Sequence, residues 1–256
     1  MKTLPGIYRP GNEVTRGISI VIYADPGIGK TTLATTLPVG ETLIINTEAG
    51  WGPLLGTGHY VFDLKRDLKQ LEELYQYLRT EKHPFTNIVL DNISELQDWL
   101  VHTLMTGRNK DFAEIREYGD ASVKLKEYIR LFRDLTSERN FNVIFNAWEM
   151  PLEMEKTAMG IITKSFPKLF PKLTPEVCGI VDMVGHLEKY EKTGDRFIRF
   201  VGTSKILAKT QFKGVEEFEE ANLPAVFAKV KAYNYATTVE STVNDELEKL
   251  KKGVKA

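Results

Sequence analysis

Short runs of apolar residues alternate along the chain with longer stretches whose apolar positions recur every three or four residues. Residues 18–23 (Ile-Ser-Ile-Val-Ile-Tyr), 42–46 (Thr-Leu-Ile-Ile-Asn), 59–62 (His-Tyr-Val-Phe), 87–91 (Asn-Ile-Val-Leu-Asp) and 142–146 (Asn-Val-Ile-Phe-Asn) read as short strands, most of them buried. Between them, Leu68, Leu71, Leu74, Tyr75 and Leu78 share one helical face, with Asp63 or Asp67 available as the cap. Further helices are expected over residues 30–37, ended by Pro38, over 94–105, and over 121–139, where Leu125, Ile129, Phe132 and Leu135 make the apolar stripe. Residues 106–119 are polar and charged and read as a surface excursion. This alternation predicts an α/β fold, a mostly parallel sheet sandwiched by helices.

From residue 181 the pattern changes. Residues 181–190 and 196–201 flank a turn, Lys192-Thr193-Gly194-Asp195, and predict an antiparallel hairpin, to which 204–212 could add a third strand. Residues 215–236 read as partly helical. The chain therefore divides into a flexible arm over 1–16, one core domain over 17–236 and a polar tail over 237–256.

The first strand runs into Ala24-Asp25-Pro26-Gly27-Ile28-Gly29-Lys30-Thr31-Thr32. This matches a phosphate-binding loop except that Ala24 stands at the first glycine position. Asp25, Pro26, Gly27, Ile28, Gly29, Lys30, Thr31 and Thr32 would wrap a nucleotide. The glycines let backbone N–H groups converge on phosphate oxygens, Lys30 reaches the β/γ-phosphates, and the Thr31 hydroxyl sits on Mg²⁺. The helix that follows adds its positive end. The alternative is a Pro-Gly turn before an ordinary helix.

In open parallel sheets, ligands gather at the carboxyl ends of strands, so the polar residues there matter. Asp91 fits a metal-holding carboxylate, or else a cap of the next helix. Glu48 fits a base that orients water against the γ-phosphate, or else a solvated loop residue. Asn146 could sense the γ-phosphate, or else close a turn. ATP and Mg²⁺ are the cofactors this set implies.

A phosphate loop, a Glu ending the second strand (Asn46-Thr47-Glu48) and a lone Asp on a central strand together resemble the RecA-like ATPase core. Leu43-Ile44-Ile45-Asn46-Thr47-Glu48-Ala49-Gly50, with the later Ala208-Lys209 segment, resembles the phage nucleotide-binding family that includes Sak-type single-strand annealing proteins. The resemblance spans residues 17–236. It implies Glu48 as the water-activating residue, Asp91 on the metal, and a homo-oligomer, ring or filament, with ATP between subunits. It implies too that a basic residue from one copy reaches the neighbour's ATP: Lys209 first, Lys205 second. Asn46 departs from the family, where an acidic residue is common, and Trp148 stands where a smaller polar residue or His is expected.

Composition narrows the partners. The 256 residues are 42% apolar and 27% charged with a net charge of -1, so nucleic-acid binding would need a local patch. One cysteine, Cys178, leaves no internal disulfide; with no signal-like start or membrane-length apolar run, a cytoplasmic protein without membrane contact is expected. Lys156, Lys164, Lys168 and Lys172 fall within residues 156–175, which hold no Asp or Glu. Lys164, Phe166, Lys168, Phe170 and Lys172 interleave charge with aromatic rings, on a segment whose prolines forbid a continuous helix. That composition suits single-stranded DNA. Four phosphate contacts would give a log–log salt slope of about -3. The plainer alternative packs Phe166 and Phe170 into the core beneath a solvated lysine rim.

The expected function is an ATP-binding RecA-core protein of phage type that coats single-stranded DNA and promotes annealing or recombination, with a single-strand-binding protein as a possible partner. A nucleotide-regulated oligomeric accessory protein is the alternative. A small-molecule kinase fits less well, because no Arg-rich lid follows the core.

Overall fold

The computed structural model describes residues 14–48, 50, 52–157 and 160–233, and the side chains of 152–162 fall outside that description. Most of the N-terminal arm, the side chain of Lys156 and the polar tail therefore lie outside that description.

Ten strands form one connected sheet system. They are β1 (Ser19–Ala24), β2 (Thr42–Asn46), β3 (Tyr60–Asp63), β4 (Asn87–Asp91), β5 (Asn142–Thr157), β6 (Gly160–Pro167), β7 (Met183–Lys189), β8 (Arg196–Arg199), β9 (Lys209–Thr210) and β10 (Phe218–Glu220). Their order is β10-β8-β7-β1-β5-β4-β2-β3, with β6 on β5 and β9 on β7. From β7 to β3 the pairing is parallel, while β8, β9 and β10 are antiparallel. The expected architecture stands: a mostly parallel α/β sheet with an antiparallel C-terminal end.

Period-two alternation splits β1 between two cores. Val21 and Tyr23 join Ile45, Leu90 and Phe145 beneath α2 (Leu68–Thr80), α3 (Ile93–Gly107), α4 (Ile115–Glu138) and α5 (Leu173–Ile180). Ile20 and Ile22 join Ile44, Val89 and Ile144 on the opposite face, under α1 (Lys30–Ala34) and α6 (Leu223–Ala232). Every β1 residue is buried, as a central strand covered on both faces demands.

Several boundaries differ from the expectations. The first helix is a single turn and a half, Lys30–Ala34, continuing as turns to Leu37. The polar excursion is half helical: α4 begins at Ile115 because Glu114 and Glu117 close a reciprocal capping box. The 164–172 segment begins as an extended strand and ends in a bend and a turn. Lys164 and Phe166 lie in β6, Lys168 in a bend, and Lys172 caps α5. The third hairpin strand shrinks to β9, which pairs with the start of β7 beyond the reach of β8.

Candidate functional site

The phosphate loop leaves β1 and turns through two left-handed glycines, Gly27 (φ 82°) and Gly29 (φ 113°), conformations that side-chain-bearing residues rarely adopt. A Cβ at Gly29 would also lie 2.8 Å from Arg196 Nε. Lys30 is buried, and its ammonium folds back onto the loop, donating to the carbonyls of Ala24 (2.8 Å) and Asp25 (3.1 Å). Burial pulls its pKa down, while Asp91, Glu48 and Asp25 oppose that fall. Because α1 is so short, anion binding here rests on the loop backbone and Lys30 more than on a helix dipole.

Three parallel strands deliver the other groups. Register places Asp91 beside Asn46 on one side and Asn146 on the other, and Asn146 beside Ile22 of β1. The Thr31 hydroxyl donates to Asp91 Oδ2 at 2.6 Å. Burial raises the pKa of Asp91, and the bonds from Thr31 and Asn146 and the charge of Lys30 hold it back. Asn146 is 1% exposed, and its Nδ2 has no good-geometry partner, although it approaches Asp91 closely enough to favour the charged carboxylate.

Glu48 sits just beyond β2, half-buried. Asn46 holds its turn, donating from Nδ2 to the Glu48 carbonyl (2.6 Å) and to Asp63 (3.1 Å), which gives this unexpected asparagine a bracing role. The Glu48 carboxylate accepts from Asn92 Nδ2 and from the Trp148 side chain. Its pKa is raised, by burial first and by the like charge of Asp91 second. The carboxylate is thus held by donors on one side and is harder to ionise than a free one.

These groups converge on one cavity of about 210 Å³, lined by the loop, Lys30, Thr31, Thr32, Glu48, Pro53, Asp91, Trp148 and Arg196. The donor set fits a nucleoside triphosphate with a hard cation. Lys30 supplies positive charge, Thr31 and Asp91 present paired oxygens, and the orphaned Asn146 amide lies on the strand between β1 and β4. No cluster of three acidic, His or Cys ligands exists among the described residues.

Arg196 was not foreseen. It opens β8 after the Gly194 turn and donates from Nε to the Ile28 carbonyl at 2.6 Å. Its only signal in the sequence was its place directly after a hairpin turn. Lys205 and Lys209, the basic residues expected at a neighbouring ATP, do not line this cavity. Lys209 pairs with Val184, its pKa lowered by burial against the opposing charges of Cys178 and Asp182; Lys205 is exposed.

The lysine–aromatic segment lies beside this cavity. Lys168 stands 4.6 Å over the Trp148 ring, and its N–H donates to the Trp148 carbonyl at 2.7 Å. Lys164 lies over Phe166, while Phe170 packs edge-on against Tyr118 and onto the core, so that ring follows the packing alternative. Lys172 is exposed.

A glycine-turned loop after a buried central strand, a buried lysine beside it and a Thr–Asp pair across two strand ends define a nucleoside-triphosphate-binding P-loop protein. Residues 16–212 match the AAA domain family, and the chain belongs to that family of P-loop ATPases. Among solved structures, "Crystal structure of the RadB recombinase" is similar at 16% identity and a TM-score of 0.46, covering 72% of this chain and 80% of that one. No curated protein matches. Among the described residues, no helix is long and apolar enough to cross a membrane.

Proposed function

We propose that the protein is a RecA-type ATPase of the phage single-strand annealing kind, binding single-stranded DNA as a homo-oligomer and promoting annealing or recombination. The observation that carries the ATPase half is the meeting of Lys30, Thr31, Asp91 and Glu48 at one cavity. Lys30 binds the β/γ-phosphates. Thr31 and Asp91 hold Mg²⁺, which supplies charge neutralisation to the phosphates when bound. Glu48 takes the proton of the attacking water, and the donors from Asn92 and Trp148 fix its direction.

Support for the DNA half is the contact between Lys168 and Trp148. One face of that indole meets a lysine of the basic segment, while its side chain donates to Glu48. Phosphates drawing Lys168 away would free Trp148 and alter the base, which is a direct route from strand binding to turnover. Lys164 and Lys172 would follow phosphates and Phe166 would stack on a base.

The deciding experiment titrates labelled oligonucleotides with and without ATP and Mg²⁺, using wild type, a Lys164/Lys168/Lys172→Ala triple variant and Glu48→Gln. Low-salt binding that the triple variant weakens, and hydrolysis that Glu48→Gln loses while retaining ATP, are expected. Absence of single-strand binding at low salt would leave the accessory-protein reading. For the oligomer, mixing Lys209→Ala with Glu48→Gln should restore part of the turnover through mixed interfaces.

A further inference from the structure

Arg196 stands at the junction of two cavities. One is the phosphate cavity. The other, of about 450 Å³, is lined by Thr32, Leu33, Thr36, Gly194, Asp195, Arg196, Glu220 and Ala221, so Thr32 and Arg196 are common to both. Its walls are drawn from the α1 face, the hairpin turn and the end of β10, and the Ala221 N–H donates to the Arg196 carbonyl at 3.1 Å, tying two of those walls together.

The guanidinium is pinned at one edge only. Nε donates to the Ile28 carbonyl of the phosphate loop, and the two terminal amino groups make no hydrogen bond or ion pair among the described residues. Gly29 lets it approach, since any side chain there would collide with it. An arginine fixed at Nε with both terminal amino groups open presents a fork that suits an anionic oxygen pair. Charge is mixed in both cavities. Lys30, Arg196, Glu48 and Asp91 border the first, and Arg196, Asp195 and Glu220 border the second, where the two carboxylates can accept from hydroxyl or amino donors.

We propose that Arg196 binds the phosphate chain of the nucleotide at the seam between the cavities and that the second cavity takes the nucleoside. This rests on reading the first cavity as an ATP site. The C-terminal hairpin thereby becomes part of the binding site within a single chain, and the length of the nucleotide is measured between Lys30 and the Asp195–Glu220 wall. Its volume falls within the range of small-molecule pockets, about 300–1,000 Å³.

The test compares the affinity of ATP with that of inorganic tripolyphosphate, in Mg²⁺, for wild type, Lys30→Ala, Arg196→Ala, Arg196→Lys, Asp195→Ala and Ala221→Trp. Arg196→Ala should weaken both ligands by about tenfold or more, as loss of a charge-assisted bond requires. Arg196→Lys should recover less than half of that loss on the logarithmic scale, because one ammonium cannot hold Ile28 and present a fork together. Asp195→Ala and Ala221→Trp should weaken ATP and leave tripolyphosphate unchanged. Thermal melts without ligand separate a structural loss, which would lower the midpoint, from a binding loss, which would lower only the ligand-induced rise. If Ala221→Trp does not fold, Asp195→Ala alone decides the second cavity. Wild-type affinity for both ligands in Arg196→Ala overturns the assignment of Arg196, and unchanged ATP affinity in Asp195→Ala overturns that of the second cavity. In either case the ATP site stands if Lys30→Ala abolishes binding. A wild type that binds neither ligand removes both readings.

Discussion

The two ends of the sheet handle their polar residues in opposite ways. At the amino ends, the buried polar groups around Asp182 and Asn142 are paired within the chain, and the exception is His59 Nδ1 just before β3. Asp182 accepts from Arg16 at 2.6 and 3.0 Å and from both the N–H and the hydroxyl of Ser19, and Asn142 bridges Asn87 and the Ile18 N–H. At the carboxyl ends, Asp91 and Glu48 are close enough for each charge to raise the other's cost, Lys30 is buried on carbonyls alone, and Asn146 Nδ2 has no good partner. A satisfied end is a structural seam. An end left short of partners is one whose partners arrive with a ligand.

The sharpest break of that comparison is Lys30→Ala. Two or so charge-assisted bonds to phosphate are worth about 1.5–3 kcal/mol each, so ATP affinity should fall by about 10²–10⁴-fold, as calorimetric titration would read. Stability without ligand should hold or rise, because a buried ammonium disappears. A variant that unfolds while still binding ATP would put Lys30 in the structural class.

Asp182→Asn is the mirror image. Opening a pair that is buried on the Asp182 side but more than a third exposed on the Arg16 side should cost about 2–3 kcal/mol, below the value for fully buried pairs, with ATP affinity unchanged. The pH dependence has a definite sign. Burial works against the charge of Asp182, but Arg16 and Ser19 outweigh it and depress the folded pKa below the ordinary 3.8. Its contribution is therefore complete above that value and lost as pH falls through the folded one. Acid unfolding of wild type should steepen below about pH 4, and Asp182→Asn should flatten that limb.

The antiparallel end carries a switch of the other sign. Burial opposes charge on His186, but hydrogen bonds donated by its ring to Glu149 at 2.9 Å and Glu188 at 3.1 Å overcome it and raise the pKa from 6.5 to about 9. The stability it gives is full below 6.5 and is lost as pH rises through about 9. Glu149 also accepts from the Asp25 N–H of the phosphate loop. Glu149→Gln should cost about 1.5–3 kcal/mol near pH 7 and shrink the alkaline loss, measured by denaturant midpoints across that range.

What could be read beforehand follows the same division. Strands β2 and β4 were found with their bounds, and Asp67 caps α2 as one of the two residues offered, because buried parallel strands are uniformly apolar and caps are local. Lys30, Thr31, Glu48 and Asp91 could be named because their chemistry is fixed by position along a loop or at a strand end. The extension of β5 and the strand β6 were not read. Glu149, Met150 and Pro151 lead into an antiparallel ribbon with β6, and their mix of charge and proline breaks the uniformly apolar run that marks a buried strand. Arg196 was missed for a different reason: it meets Ile28 across 168 positions, a contact only the closed hairpin creates.

The smallest expected effect tests the open side of the comparison, the lysines near Trp148. Each phosphate contact on a single strand contributes about 0.7 to the slope of log affinity against log salt. Replacing Lys164, Lys168 and Lys172 with alanine should therefore flatten that slope by about 2, while the intercept at molar salt, set by stacking of Phe166, should stay. Lys168→Ala alone should account for about a third of the change in slope. It alone should also alter Trp148 fluorescence in the free protein, since it removes the cation standing 4.6 Å over that ring. A slope unchanged by the triple substitution would class these lysines with the solvated rim.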